Sequence, residues 1–265
     1  MTGTLFTVLG ASGYIGSRLV AHLQAQGHAV WAPARGDAEV FVRPLGHVMY
    51  CVGLTADFRS RPFDTVQAHV GLLADVLRRA QFDSLLYLSS TRVYMGATAT
   101  NEDASLTVVP GDPSCLYNLT KLTGESLCHA SGRAGVRVAR LSNVVGPGMD
   151  AASGNLVADL LHQARHGKVT LRSDPRSAKD YIHVADVLDW LPRITLQGRS
   201  TVYNVASGRQ TTHAQWLEWL GAHYASRIEI QKNAPLQSFP PINITRLASE
   251  FAVAARTVWN LTENW

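Results

Sequence analysis

The sequence predicts an α/β fold: a doubly wound parallel sheet with helices on both faces and a small C-terminal lid. Three observations predict it. Short apolar runs rich in strand formers alternate with stretches of helical periodicity, the pattern of a parallel sheet with crossover helices. The first such run passes through a glycine turn straight into a helix. Tyr117 and Lys121, four residues apart, fall on one face of a later helix.

Taken in order, Leu5 to Leu9 reads as a strand, Gly10-Ala-Ser-Gly13-Tyr-Ile-Gly16 as a turn, and Ser17 to Gln26 as the helix that follows. Ala29 to Ala34 is the second strand and His47 to Val52 the third. The connection between them is too short for the further helix, strand and helix of a full outer edge, because a parallel crossover takes roughly a dozen residues or more. The outer edge is therefore expected to be trimmed, with Ala38 to Val42 as a stray edge strand. Asp64 to Ala80 is a helix with the apolar series Val66, Val70, Leu73, Val76 and Leu77. Ser84 to Leu88 is the next strand, followed by the helix from Tyr117 to Ala130 and a strand from Val136 to Leu141. After Gly148 the pattern weakens into helices and short strands. The expected division is 1–148 for a dinucleotide-binding domain and 149–265 for a smaller α/β substrate-binding region, some of whose segments can return to the main sheet.

The glycine turn carries chemistry. Gly10 permits the tight turn, Gly13 lets a pyrophosphate approach the backbone, and Gly16 lets the helix pack close to the strand, while the helix N-terminus offers amide donors to phosphate. In its strand and helix context the motif points to a Rossmann-like dinucleotide site. Tyr117 and Lys121 offer a second chemistry. A phenol ordinarily titrates near about 10, and a fixed positive charge beside it stabilises the phenolate. Ligands of such sheets bind outside the carboxyl ends of the strands, which brings Gly10, Ser90 and the segment after Leu141 to one edge.

Composition excludes other classes. The 265 residues carry 24 basic and 20 acidic side chains, a net charge of +4, without a dense basic run or basic-aromatic stripe, which argues against a nucleic-acid partner. No apolar run is long enough to span a bilayer, and Met1-Thr-Gly-Thr lacks the basic start of a signal peptide, so the expected location is the cytoplasm and no membrane partner is expected. Cys51, Cys115 and Cys128 cannot all pair, and no Cys/His cluster has zinc-like spacing, so neither a disulfide frame nor a metal site is expected.

Six blocks stand in order: Gly10-x-x-Gly13-x-x-Gly16, Leu88-Ser-Ser-Thr-Arg-Val-Tyr94, Tyr117-x-x-x-Lys121, Asn143-Val-Val-Gly-Pro-Gly148, Lys179-Asp-Tyr-Ile-His-Val-Ala-Asp186 and Tyr203-Asn-Val-Ala-Ser-Gly208. In this order the chain resembles the extended short-chain dehydrogenase/reductases, the NAD-dependent epimerase/dehydratase-like proteins that act mainly on nucleotide sugars. The resemblance implies that Tyr117 is the general acid/base, that Lys121 lowers its pKa and holds the nicotinamide ribose, and that Ser90, three residues before Val93, hydrogen-bonds the reacting oxygen. It places the cofactor on Gly10, Ser12, Gly13, Tyr14, Ile15, Gly16, Arg35, Val52, Gly53, Leu88, Tyr117 and Lys121, and the substrate on Ser90, Thr91, Asn143, Arg176 and Lys179. His183 and Asp186 are expected to fix the lid. Because the helices 64–80 and 117–130 pack dimers in the family, a homodimer is implied.

The end of the second strand bears on the cofactor, since an acidic residue there suits the ribose of NAD and an arginine the extra phosphate of NADP. Arg35 follows Ala34 and favours NADP, while nearby Asp37 leaves NAD open. Departures from the family narrow the activity. Thr91-Arg92 replaces the Asp-Glu pair of sugar dehydratases, which disfavours dehydration. His69 replaces a common asparagine, and Lys179 stands where many members carry an arginine for the substrate diphosphate. The expectation is an NAD(P)-dependent oxidoreductase or epimerase of a secondary alcohol or ketone on a nucleotide sugar. A reductase of a small ketone or aldehyde without a nucleotide, and a non-catalytic dinucleotide-binding sensor, are the alternatives.

Overall fold

The central strands are apolar along their length because both of their faces are covered, as a parallel sheet requires. In a computed structural model that describes residues 3–55, 57–237 and 239–259, β1 (Leu5–Leu9) is buried from Phe6 onward. Beside it stand β2 (Ala29–Trp31) and β3 (His47–Tyr50). β4 (Ser84–Ser90) and β5 (Val136–Leu141) follow, and β9 (Val202–Val205) completes the sheet in the order β2-β1-β3-β4-β5-β9. Every pairing is parallel, and the register that sets Ser90 beside Leu141 brings the ends of β4 and β5 level.

Two apolar layers sandwich this sheet. On one side α1 (Tyr14–Ala25) and α6 (Val184–Gln197) pack Leu19, Leu23, Val187, Leu191 and Ile194 against Phe6, Val8 and Leu86. On the other, α2 (Pro62–Val66) continues through a π-helical turn at Gln67–Gly71 into α3 (Leu72–Arg79), which buries Leu73, Val76 and Leu77 against Tyr50 and Tyr87. α4 (Leu116–Ala130) completes that side. The fold is thus doubly wound, as the alternating pattern implies.

The connection after β2 differs from expectation. Ala38–Phe41 is a short 3-10 helix rather than an edge strand, because Asp37 accepts a hydrogen bond from the Glu39 amide (3.0 Å) and caps it. β2, only three residues long, forms the edge of the sheet, in line with a trimmed outer edge.

The later half builds smaller layers. β6 (Asn143–Val145), β8 (Ala178–His183) and β10 (Gln210–Thr212) form a three-stranded sheet, and β7 (Lys168–Leu171) pairs with β11 (Arg227–Ile230). A third apolar cluster joins α5 (Leu156–Arg165) and α7 (His213–His223) through Leu160, Leu161, Trp216 and Trp219. α8 (Thr245–Phe251) returns to the first layer through Leu247 and Phe251. Among the described residues no helix is long and apolar enough to cross a membrane.

Candidate active site

The glycine turn is shaped by close approach. Gly10 has φ +84°, and a Cβ there would lie 2.8 Å from the Cys51 carbonyl carbon. A Cβ at Gly16 would overlap the Gly10 carbonyl oxygen, so the helix sits as near the strand as glycine allows. Gly13 is different: its φ is −80° and a Cβ would meet only Gly10 O, at an ordinary 3.5 Å. Nothing in the chain's own packing demands glycine at 13. The open space lies outside the turn, at the N-terminus of α1, which no side chain caps and which has no acidic residue in its first turn. Uncapped amides beside an unfilled approach are what a pyrophosphate requires.

Of the neighbouring residues expected at a cofactor, Ser12 is exposed, and Ile15 packs against the first apolar layer and Val52 against the second. The Tyr14 hydroxyl donates to the Pro147 carbonyl (3.3 Å), and Arg18 donates to the same oxygen (2.6 Å), so the Gly146-Pro147-Gly148 turn is pinned to α1. Arg35 is exposed and makes no hydrogen bond or ion pair among the described residues.

α4 delivers Tyr117 and Lys121 to one buried face, 6% and 4% exposed. The Ser90 hydroxyl lies beside the Tyr117 phenol, where it favours the phenolate, and accepts a hydrogen bond from the Arg92 amide (3.2 Å), which caps the turn after β4. Ser89 points elsewhere. It donates to Glu125, which in turn is gripped by Arg140 (2.7 Å), while Arg140 donates to the Tyr94 hydroxyl (2.7 Å) and Tyr94 donates to Asn204 (2.9 Å). These two adjacent serines therefore belong to different networks: Ser89 to a satisfied buried scaffold, Ser90 to the phenol.

Lys121 donates to the Leu88 carbonyl at 2.8 Å and lies 5.0 Å from the Tyr87 ring centre and 5.9 Å from that of Tyr117. Burial pulls its amine down to about 7, against the favourable charge of Glu125. Burial also raises the Tyr117 phenol, opposed first by the Ser90 hydroxyl and then by the charge of Arg92. Arg92 and Lys121 both lie 5.9 Å from the Tyr117 ring centre, so the phenol has a second cation beside it besides the expected lysine. A Cβ at Gly53 would come within 3.1 Å of His69 Nε2 and 3.4 Å of Lys121 Nζ, so Gly53 lets the loop after β3 close over both.

Two further residues support Tyr117: Phe58, which a reading of the sequence misses, and His69, which it marks only as a replacement for a common asparagine. The ring of Phe58, 3% exposed, packs 5.5 Å from that of Tyr117. His69, fully buried, meets Tyr117 edge-on at 5.3 Å; its Nε2 accepts from the Leu54 amide (3.2 Å) and its Nδ1 pairs with Thr120 Oγ1 (2.8 Å). Thr120 Oγ1 donates to the Tyr117 carbonyl, so the His69 tautomer that fits carries its proton on Nδ1. Burial, aided by the charge of Lys121, drives His69 down to about 2 and keeps it neutral. Its place three residues after Val66 and four before Leu73, on the apolar face of the helix, was the available signal.

The residues expected at the substrate divide. Lys179, half-buried on β8, lies 5.4 Å from the Phe239 ring centre, and burial, then the charge of Arg92, lowers its amine. Thr91 is buried at the start of the turn that Ser90 caps. Asn143 donates to the Asp180 carbonyl (2.8 Å) and ties β6 to β8. Arg176 is exposed and doubly bonded to Asp174, with Nη2 at 2.7 Å, and no hydrogen bond or ion pair joins it to Arg92 or Tyr117. His183 accepts from the Ala185 amide (3.1 Å) and caps α6, and Asp186 pairs with Arg256 (2.6 Å).

A model of the NAD dependent epimerase/dehydratase family matches residues 6–206. A dTDP-4-dehydro-6-deoxy-D-allose reductase of Streptomyces bikiniensis is 23% identical, the match spanning 79% of this chain and 78% of that protein. Among solved structures, UDP-glucuronic acid 4-epimerase from Bacillus cereus, in complex with UDP-glucuronic acid and NAD, superposes with a TM-score of 0.78 at 16% identity, over 97% of this chain and 96% of that one. RMD from Pseudomonas aeruginosa, complexed with NADPH, gives 0.74 at 22% identity, over 98% and 95%. At these identities the superpositions show a common fold.

Proposed function

This chain belongs to the NAD-dependent epimerase/dehydratase family, and from that membership we propose that it is an NAD(P)-dependent oxidoreductase or epimerase acting on a secondary alcohol or ketone of a nucleotide sugar. The observation that carries the reading is the Ser90 hydroxyl set beside the Tyr117 phenol, with Lys121 buried on the same helix, at the carboxyl edge of a parallel sheet that also holds the glycine turn. The relatives support the substrate class, one being by name a reductase of a dTDP sugar and another an epimerase of a UDP sugar.

When bound, a nicotinamide dinucleotide supplies the hydride acceptor or donor. Gly10, Gly13 and Gly16, with the open N-terminus of α1, would hold its pyrophosphate, Lys121 its nicotinamide ribose, and Arg35, which has no partner among the described residues, the 2′-phosphate of NADP. In oxidation, Tyr117 as phenolate takes the hydroxyl proton of the substrate; in reduction the phenol returns it. Ser90 donates to the oxygen on which charge is lost or gained. Arg92 and the Ser90 hydroxyl stabilise the phenolate against the burial that raises its pKa. Residues 1–148 form the dinucleotide domain in this reading, and the region 149–265 shapes the substrate pocket while lending β9 and α6 to the core.

The enzyme is proposed to work in the cytoplasm, which keeps its three thiols reduced, as a homodimer; Phe63, 87% exposed, and Val66 on α2 give apolar surface for a partner. One observation favours a second substrate class. Arg176 is engaged by Asp174, which leaves Lys179 without an arginine fork beside it for a diphosphate and suits a small ketone without a nucleotide. A panel of nucleotide sugars and simple ketones, followed by nicotinamide absorbance with NADH and NADPH, tests both. Turnover confined to nucleotide sugars supports the first reading and turnover confined to simple ketones the second. Stoichiometric NAD(P)H consumption identifies a reductase, and interconversion with cofactor retained identifies an epimerase.

A further inference from the structure

Arg92 stands beside Tyr117 in a group of three cations, with Arg59 and Lys179, that meets no carboxylate among the described residues. The Arg92 guanidinium lies 5.5 Å from the Phe58 ring centre and 5.9 Å from that of Tyr117. Its Nη2 reaches only the Ser114 carbonyl, at a long 3.4 Å, and its Nε is buried with no partner. Arg59 sits 4.4 Å from the Phe58 ring centre. Burial and the charge of Arg59 both lower Arg92, and Lys179 is lowered in its turn by burial and the charge of Arg92, so the three cations feel one another. The acid within electrostatic reach, Asp112, is exposed and occupied by the Ser114 amide (2.8 Å) and hydroxyl (2.6 Å). Among the described residues no carboxylate pairs with Arg59, Arg92 or Lys179.

A donor atom shut off from water and left unpaired, as Arg92 Nε is, is costly, and elsewhere in this centre the chain avoids it: Arg140 meets Glu125 with two of its nitrogens. The missing anion at Arg92 therefore belongs to something that binds. On the reading of Tyr117 as the group that touches the reacting carbinol, Arg92, 5.9 Å from the Tyr117 ring centre, is near enough to meet a substituent on a neighbouring carbon. A planar guanidinium with a free Nε and an under-used Nη2 presents a fork, which matches a carboxylate held by two parallel hydrogen bonds. Lys179, a point charge on β8, suits the diphosphate instead.

We propose that Arg92 is the receptor for a carboxylate carried by the sugar ring next to its reacting carbon, so that the substrate is a nucleotide-linked uronic acid and not a neutral sugar. The inference rests on the nucleotide-sugar reading. It also gives Arg92 a task at the position where dehydratases of the family place an acid.

The test measures dissociation constants of UDP-glucuronic acid and UDP-glucose, two probes that differ by the carboxylate alone, with NADP or NAD saturating. The wild type is expected to bind the acid roughly 10- to 100-fold more tightly, the range of a charge-assisted pair. Arg92→Gln is expected to abolish the preference and leave UDP-glucose within about twofold of the wild type, and Arg92→Lys to restore part of it. Equal binding of the two probes by the wild type overturns the inference and leaves the nucleotide-sugar reading standing. An equal loss for both probes in Arg92→Gln overturns it too, by assigning Arg92 to the diphosphate. Failure of both probes to bind while NADPH does would remove the nucleotide-sugar reading and this inference together.

Discussion

Ser90 stands beside Tyr117 where the end of β4 meets the first turn of α4, and its hydroxyl favours the phenolate. Its neighbour Ser89 bonds Glu125 instead, and that division separates chemistry from scaffold. Ser90→Ala is expected to lower kcat by about 10²- to 10³-fold, the usual effect of removing one donor from a developing oxyanion, without changing dinucleotide affinity. Ser89→Ala is expected to cost on the order of 1–3 kcal/mol of stability, with kcat within a few-fold of the wild type. Steady-state kinetics and urea unfolding on both variants check the pair; a larger kcat loss in Ser89→Ala would reverse the assignment.

Gly13 and Gly16 are expected to separate by the same logic. Gly16→Ala forces a methyl into the Gly10 carbonyl, so the protein should lose stability and expression. Gly13→Ala meets only an ordinary contact at a backbone angle any residue adopts, so it should fold normally. Its methyl occupies the pyrophosphate approach, and NADPH affinity should fall by about 10-fold or more, read by fluorescence titration.

Arg35 bears on the choice of cofactor. Arg35→Ser is expected to weaken NADPH by roughly 10- to 100-fold and to leave NADH within about twofold, the loss of one charged phosphate contact. Equal affinities for the two cofactors in the wild type would place the 2′-phosphate elsewhere.

His69 gives stability a defined pH dependence. Its folded-state pKa is about 2, against about 6.5 in an unfolded chain, so between those values the unfolded state holds a proton that the native state does not. The stability linked to a neutral His69 is complete above about pH 6.5 and is lost as the pH falls, by up to about 1.4 kcal/mol per pH unit. His213, held to about 4 by burial, adds to the same slope down to its own pKa. His69→Asn should flatten the fall in unfolding free energy between roughly pH 6 and 5, measured by urea unfolding. An unchanged slope would mean that His69 is charged in the native protein.

Much of this centre was legible in the chain because it is local. The strand Val136–Leu141, the glycine turn, and the helical face shared by Tyr117 and Lys121 all follow from spacing within a few residues. The distance to Val93 selects Ser90 over Ser89, and Ser89 is engaged by Glu125 in the scaffold. What was hidden depends on contacts between distant segments. β9 enters the sheet beside β5, about sixty residues further along the chain, and no local pattern distinguishes it from a lid strand. Ala38–Phe41 has the apolar residues of a strand, but the Asp37 cap decides for a 3-10 turn. Phe58 and His69 support Tyr117 only because two loops and a helix converge on it, and no local spacing shows that Arg92 comes as near the phenol as the lysine that shares its helix.

The central claim is that Tyr117 moves the proton of a hydride-transfer reaction. Its most direct test is Tyr117→Phe, assayed on whichever substrate of the panel the wild type turns over, with NADPH affinity measured on the same preparation. The account predicts unchanged cofactor binding and a kcat lower by about 10²- to 10⁴-fold, the contribution of a positioned acid/base. A variant that binds NADPH normally and turns the substrate over at the wild-type rate would contradict it.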